Sequence, residues 1–269
     1  MDQIAFFWVG ENVRIPSILV ESINTVYESD VKIYQLTDMS TPSVIGVSKV
    51  FRQNLSKDIM VARLQAYKNF PFNNDLTCFC DTDSIFVSEL NLDELNANIY
   101  LVKRSVKQDG KMNANFKEHY PEFENKNVSD VMPYFFGNLI IKDNLIFFGE
   151  LLEICLKLPD RFHRWFGDQY SLKQKIDNSN LSFELLDNDK YLYLADEILS
   201  EDKISNLISS NTKLVTFKGL RSKQFLKQSY LNLMHLKKNK NNIIDSNNSI
   251  IGSISEAEML YKEIIENLR

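Results

Sequence analysis

Apolar positions in the first half of the chain fall into short continuous runs separated by amphipathic stretches. Ile4–Val9 is an apolar run closed by Gly10. Behind Pro16, which suits a helix start, Ile15, Ile18, Leu19, Ile23 and Val26 recur at helical spacing. Val31–Leu36 predicts a second strand, ending at Thr37 and Asp38, and a short strand is expected near Val47–Phe51. Ser56 is placed to cap a helix from Lys57 to Phe70, which Pro71 and the Asn73, Asn74, Asp75 cluster stop. Leu76–Cys80 is again uninterrupted and runs directly into Asp81, Thr82 and Asp83. Strands alternating with helices predict an α/β fold: a mixed, mainly parallel sheet flanked by helices.

The second half continues the pattern less regularly. Asn98–Val102 reads as a strand, and Tyr134–Ile141 as a strand interrupted at Gly137 and Asn138. Leu145, Phe148, Leu151, Leu152 and Cys155 mark a helix that Pro159 ends, and one further helix is expected from Arg161 to Ile176. Strands near 182–186 and 191–194 flank a turn at Asp187–Asp189, and Leu214–Phe217 is the last strand before Gly219. Between Asn98 and Tyr134 the polar segment Lys103–Asp130 shows little periodicity, and loops of that kind inside a compact domain are usually functional.

Composition narrows the class. With 44% hydrophobic residues, among them 18 Phe and 11 Tyr, the 269-residue chain can bury a large core, which excludes disorder as its default state. Its 31 basic and 36 acidic residues leave a net charge of −5, so no nucleic-acid partner is expected. The charge is unevenly spread: Lys213–Ile244 holds Lys213, Lys218, Arg221, Lys223, Lys227, Lys237, Lys238 and Lys240 and no acid. Such a stretch suits anions, whether lipid or phosphate. Phe225, Leu226, Tyr230, Leu233 and Met234 fall near one face of a helix within it, giving two readings: peripheral contact with an anionic membrane, or packing on the main domain. Cys78, Cys80 and Cys155 form no even framework and read as reduced core thiols. No run approaches ~20 apolar residues, and Met1–Gly10 lacks a basic leader region, so the expected location is cytoplasmic, at most peripheral on the cytoplasmic face of a membrane.

The sharpest chemical signal is Asp81-Thr82-Asp83 at the end of an apolar strand. In an open α/β sheet ligands bind outside the carboxyl ends of the strands, so both carboxylates are expected to face a cleft. Two ionised carboxylates that close repel each other unless a cation neutralises them, and hard oxygen ligands suit Mg2+ or Mn2+, which could also hold a nucleotide diphosphate. The plain alternative is a pair of acids opening a turn.

Further motifs come in a fixed order: Ala62-Arg63-Leu64 in the preceding helix, Phe136-Gly137-Asn138-Leu139-Ile140, and Trp165-Phe166-Gly167-Asp168-Gln169-Tyr170-Ser171-Leu172. With these the sequence resembles nucleotide-sugar glycosyltransferases of the GT-A fold carrying a DxD motif, most like the retaining families that include lipopolysaccharide galactosyltransferases and glycogenin. The resemblance covers roughly Ile4–Lys223, making residues 1–223 the catalytic domain and 224–269 a basic, helical extension. It implies a Rossmann-like fold and a metal-dependent hexosyl transfer from a nucleotide diphosphate sugar, UDP-linked, to a glycan or glycolipid, with retention. By the same resemblance Asp81 contacts the donor ribose and the metal, Asp83 ligates the metal, Arg63 reaches the donor sugar or its phosphates, and Asp168 and Gln169 act beside the reacting carbon. Those families often supply a third metal ligand from a His shortly before a Gly; here Thr216 stands at that place before Gly219. A hydroxyl is a poorer ligand than imidazole, so two carboxylates, the diphosphate and waters would complete the site.

Other assignments stay open at the level of sequence. Lys218, Arg221 and Lys223 are placed to meet phosphate oxygens or to form a solvated basic loop; Phe7 and Trp8 could stack on the donor base or belong to the core. Asp38 fits a base or ribose contact or a strand-ending cap, and Asp168 could instead pair with Arg164 one helical turn away. The segment Lys103–Asp130 is expected to act as a flap, and Trp165 to pack inward. Two rival functions share part of this pattern. A HAD-type phosphatase would also carry an acid-x-acid motif after a strand, but it expects Thr or Val where Ile85 stands, and a further acid where Leu172 stands. A nucleotide-sugar-binding module without transfer would share every feature above.

Overall fold

The computed structural model describes residues 1–104, 119–142, 145–218 and 222–245. In chain order the strands are β1 (Asp2–Phe7), β2 (Val31–Thr37), β3 (Lys49–Arg52), β4 (Leu76–Cys80), β5 (Ser84–Phe86), β6 (Ile99–Lys103), β7 (Tyr134–Lys142), β8 (Glu184–Leu186), β9 (Tyr193–Leu194) and β10 (Leu214–Thr216). The helices are α1 (Arg14–Val26), α2 (Ile59–Lys68), α3 (Val128–Val131), α4 (Leu145–Lys157), α5 (Asp160–Arg164), α6 (Gly167–Asp177), α7 (Asn188–Tyr191), α8 (Glu201–Ser209) and α9 (Ser222–Asp245).

Seven strands form one sheet in the order β3-β2-β1-β4-β7-β6-β8, and β5, β10 and β9 form a smaller second sheet. In the large sheet β7 alone runs antiparallel to its neighbours, β4 and β6, and the other pairings are parallel. The expected mixed, mainly parallel sheet is therefore present. Burial on both faces explains why β1 and β4 read as unbroken apolar runs. Ile4 and Phe6 of β1 join Cys78 and Cys80 of β4 in one core cluster, while Ala5 and Phe79 join another on the opposite face. All three cysteines are buried and free, as expected of core thiols.

Several local expectations are corrected. Ser56 does not cap α2; the cap position is Asp58, whose own N–H is accepted by Ser56 Oγ at 3.1 Å. Strand β7 is continuous through Gly137 and Asn138, with the irregularity taken up as a register shift against β6 between Leu101 and Val102. The helix expected from Arg161 to Ile176 is broken in two. Phe166 adopts a left-handed φ of 47°, which breaks the helix, and Gly167 allows the close approach that follows: a Cβ there would lie 2.3 Å from the Phe162 carbonyl oxygen. A short helical turn, α7, replaces the turn at Asp187–Asp189.

The apolar face of α9 is also settled. Leu226, Tyr230 and Leu233 are buried in the same core cluster as Ile4 and Phe6, with Phe225 and Met234 packed against it. Ser229 Oγ accepts the Leu199 N–H at 2.9 Å, tying α9 to the chain before α8. Leu226, Tyr230 and Leu233 are thus covered by protein, and Phe225 and Met234 are covered in part. No helix among the described residues is long and apolar enough to cross a membrane.

Candidate active site

Parallel pairing of Phe6 with Cys80 aligns the carboxyl ends of β1 and β4. The segments leaving these two strands therefore meet in one place: Phe7 and Trp8 at the end of β1, and Asp81, Thr82 and Asp83 beyond β4. With Met60 and Arg63 from α2 they line an open cleft of about 350 Å3. This is the crevice expected at the strand ends of an open α/β sheet. Trp8 packs against the core, and its Nε1 is buried without an acceptor among the described residues.

Asp81 is fixed from three sides. Its backbone N–H donates to the Gly137 carbonyl at 3.0 Å, and Arg63 Nη1 donates to its Oδ1 at 2.8 Å. Lys218 Nζ donates to its Oδ2. Gly137 has no room for a side chain: a Cβ there would stand 2.2 Å from Asp81 Oδ2. Burial alone would raise the Asp81 pKa, but Lys218 and Arg63 outweigh it and hold the carboxyl down at about 2.

Lys218 reaches this point through the second sheet. Antiparallel β5 and β10 pair Ser84 with Thr216, and the Phe217 N–H donates to the Asp83 carbonyl at 2.8 Å. Residue 218 is thereby delivered beside the acids. Its Nζ donates to Asp83 Oδ1 at 2.8 Å as well as to Asp81, and Thr216 Oγ1 lies 3.4 Å from the same Asp83 oxygen. Burial pushes the Asp83 carboxyl up, Lys218 offsets part of this, and the neighbouring Asp81 adds to it, leaving the pKa above the ordinary value. For Lys218, burial works against the charge, yet the two carboxylates prevail and raise its pKa.

Asp168 does not face the cleft directly. It is fully buried at the start of α6, where its Oδ2 meets Arg63 Nη2 and its Oδ1 accepts the Gln169 N–H at 2.7 Å. The alternative pairing with Arg164 is not formed; Arg164 lies 3.8 Å from Asp58 instead. Arg63 also stands over the Phe136 ring, 4.9 Å from its centroid. It is therefore a bridge between Asp81 and Asp168 that lines the cleft, rather than a side chain reaching freely outward. Gln169, half-buried and held by its N–H to Asp168, is not among the residues that line the cleft. Trp165 is 53% exposed, contrary to the expectation that it packs inward, because the break at Phe166 turns Phe166 rather than Trp165 into the core.

Asp38 is turned into its own loop. Its Oδ1 accepts the Thr41 N–H at 2.7 Å and the Ser40 N–H at 3.0 Å, which forms the strand-ending cap. Burial, the largest single influence, opposes ionisation there, and the Thr41 and Ser40 donors together outweigh it, so its pKa is lowered. The side chain of Lys223, with Arg221 and residues 105–118 of the segment 103–130, lies outside the described residues. Sequence reasoning missed the steric role of Gly137 and the contribution of Met60 to the cleft wall. A glycine directly after two phenylalanines in a buried strand was the available signal for the first.

The donor set bears on the implied Mg2+ or Mn2+. The point on which Asp81 Oδ2 and Asp83 Oδ1 converge is filled by the Lys218 ammonium. Among the described residues no group of three or more His, Cys, Asp or Glu converges to hold a metal ion. Arranged this way, the residues present do not fit a divalent cation.

The fold is a mixed α/β architecture shared with glycosyltransferases of known structure, with acids and cations gathered at the strand ends. The glycosyltransferase GlyE of Streptococcus pneumoniae TIGR4 aligns over 95% of this chain and 67% of its own, with 13% identity and a TM-score of 0.56. A glycosyltransferase involved in glycosylation of the major capsid of PBCV-1 aligns over 85% of this chain and 98% of its own, with 8% identity and a TM-score of 0.51. An active-site variant of LgtC aligns over 84% of this chain and 95% of its own, with 9% identity and a TM-score of 0.51. The chain spans about two thirds of the length of GlyE. No protein-family model matches the chain, nor does the sequence of any curated protein.

Proposed function

We propose that this chain is a glycosyltransferase that moves a hexose from a nucleoside diphosphate sugar, UDP-linked, to a hydroxyl of a glycan or glycolipid, with retention at the anomeric carbon. The observation that carries the reading is that Arg63, Asp81 and Asp83, with Lys218 paired to both acids, share one cleft with Phe7 and Trp8. An apolar aromatic wall beside a charged pole matches a ligand that is itself a flat base at one end and a diphosphate at the other. The likeness of fold to glycosyltransferases supports the same reading.

In the transfer, the bond from the anomeric carbon to the diphosphate oxygen breaks with its electron pair left on the diphosphate. The acceptor oxygen bonds to that carbon, and its proton passes to the departing oxygen or to water. Negative charge grows on the leaving group, and fixed cations near it lower the barrier. Arg63 is pre-set for this by Asp168, which makes Asp168 a positioning residue. Gln169 is the polar side chain closest in sequence to that support and is assigned to the donor sugar.

The test is release of nucleoside diphosphate from a panel of UDP- and GDP-sugars, with and without oligosaccharide acceptors. We expect turnover of one donor, and loss of it in Asp83→Asn with the fold retained. Equal rates for the wild type and an Asp81→Asn, Asp83→Asn double variant would overturn the assignment. Binding without turnover would favour the module that retains the fold and transfers nothing.

A further inference from the structure

We propose that Lys218 supplies the positive charge that lets a nucleoside diphosphate approach Asp81 and Asp83, so that this chain binds its donor diphosphate without a divalent cation. The inference rests on the reading of the cleft as a nucleotide-sugar site and adds to it the means by which two acids tolerate an anionic ligand.

The geometry is specific. Asp81 gives each of its oxygens to a different cation, Oδ1 to Arg63 and Oδ2 to Lys218, and Asp83 Oδ1 meets the same Lys218 Nζ at 2.8 Å. A magnesium ion bound by those two oxygens would need to lie about 2.0–2.1 Å from each. The ammonium holds that point, and ion and ammonium cannot share it. Seating the ion would require both Lys218 ion pairs to break and would put a third cation beside Arg63.

Nor is Lys218 a surface side chain that drifted into a gap. The pairing of Thr216 with Ser84 and the hydrogen bond from the Phe217 N–H to the Asp83 carbonyl clamp the backbone beside the two residues concerned. Its side chain keeps 34% of its surface exposed, so the charge is not sealed away from a ligand in the cleft. Thr216, from the same clamped strand, lies with its hydroxyl 3.4 Å from Asp83 Oδ1, a partner for the acid rather than a ligand competing with Lys218 for an ion. A lysine ammonium is a compact point charge suited to phosphate, and here it is held directly against the two acids that line the cleft.

The proposal is tested by calorimetric titration of UDP, and separately GDP, into the full-length chain in EDTA, in Mg2+ and in Mn2+. We expect the better-bound nucleotide to bind in EDTA within about threefold of its affinity in either metal. Lys218→Met should weaken binding in EDTA by about tenfold or more, and Lys218→Arg should retain most of it. Circular dichroism of each variant reports whether it folds. Should Lys218→Met not fold, the wild-type comparison across EDTA and metal still decides the matter. Mn2+ titrated alone and followed by its electron paramagnetic resonance signal should stay free in the presence of wild-type protein. Nucleotide binding that appears only with Mg2+ or Mn2+, or Mn2+ held by the wild type alone, would overturn the role of Lys218 while leaving the donor site intact. No binding of either nucleotide under any condition would overturn the donor-site reading and this inference with it.

Discussion

Asp168, fully buried at the first turn of α6, meets Arg63 Nη2 and so fixes the guanidinium whose Nη1 donates to Asp81 Oδ1 at 2.8 Å. The acid thus acts on the cleft through the arginine. Replacing it by Asn keeps the volume and removes the charge, leaving Arg63 with Asp81 as its remaining carboxylate. Removing one partner of a buried pair is costly, and since Arg63 keeps Asp81 we expect Asp168→Asn to lose up to about 3 kcal/mol in urea denaturation. In a double-mutant cycle with Arg63→Met, the two losses should be far from additive. Additive losses would show that the pair is not coupled.

Glycines 137 and 167 are constrained by different neighbours, and alanine should separate them. At Gly137 a Cβ meets the Asp81 carboxylate at 2.2 Å, and a side chain can give way. We expect Gly137→Ala to fold with a cost of about 1–3 kcal/mol but to lose most nucleotide binding, because Asp81 is pushed off Lys218. At Gly167 the obstacle is the Phe162 carbonyl, 2.3 Å away, which is backbone. Gly167→Ala should therefore show the larger fall in melting temperature.

Much of this arrangement is legible in the sequence, and the reasons for the rest are physical. Strands β1 and β4 and the acids after β4 are visible because burial on both faces leaves a continuous apolar run with an abrupt polar end. The place of Lys218 is not, because it depends on the register of β5 against β10, two strands far apart in the chain. The break between Arg164 and Gly167 is hidden for a similar reason: residues 161–176 carry a helical pattern, and the left-handed Phe166 and the close approach of Gly167 to the Phe162 carbonyl arise only in the packed structure. An amphipathic stripe such as that of α9 looks the same whether it faces lipid or a protein core.

That last distinction is open to measurement. With Leu233 fully buried in the core cluster, Leu233→Ala should cost about 2–5 kcal/mol of folding stability. Chemical denaturation checks this. A change within error of zero would mean that the stripe is free for another surface.

Asp81 and Asp83 should have opposite effects on stability. The Asp81 pKa is depressed to about 2, so its stabilisation is complete above the ordinary carboxylate value and is lost as pH falls toward 2; by linkage it is worth about 2 kcal/mol at neutral pH. The Asp83 pKa is raised, so its charged form opposes folding at neutral pH and that penalty disappears once it protonates in acid. Asp81→Asn should thus destabilise the protein at pH 7, while Asp83→Asn should be neutral or stabilising, with any gain shrinking on acidification. Thermal melts across that range test the signs, and equal destabilisation by both variants would contradict them.

The most direct test of the donor-site account is a fluorescence titration. Trp8 and Trp165 are the two tryptophans of the chain, so Trp165→Phe leaves the cleft residue as the single reporter. Adding UDP to that variant should change Trp8 emission saturably, with the same midpoint that calorimetry gives for binding, as the base settles against Phe7 and Trp8. Nucleotide binding by calorimetry with Trp8 emission unchanged would place the nucleotide elsewhere and contradict the account.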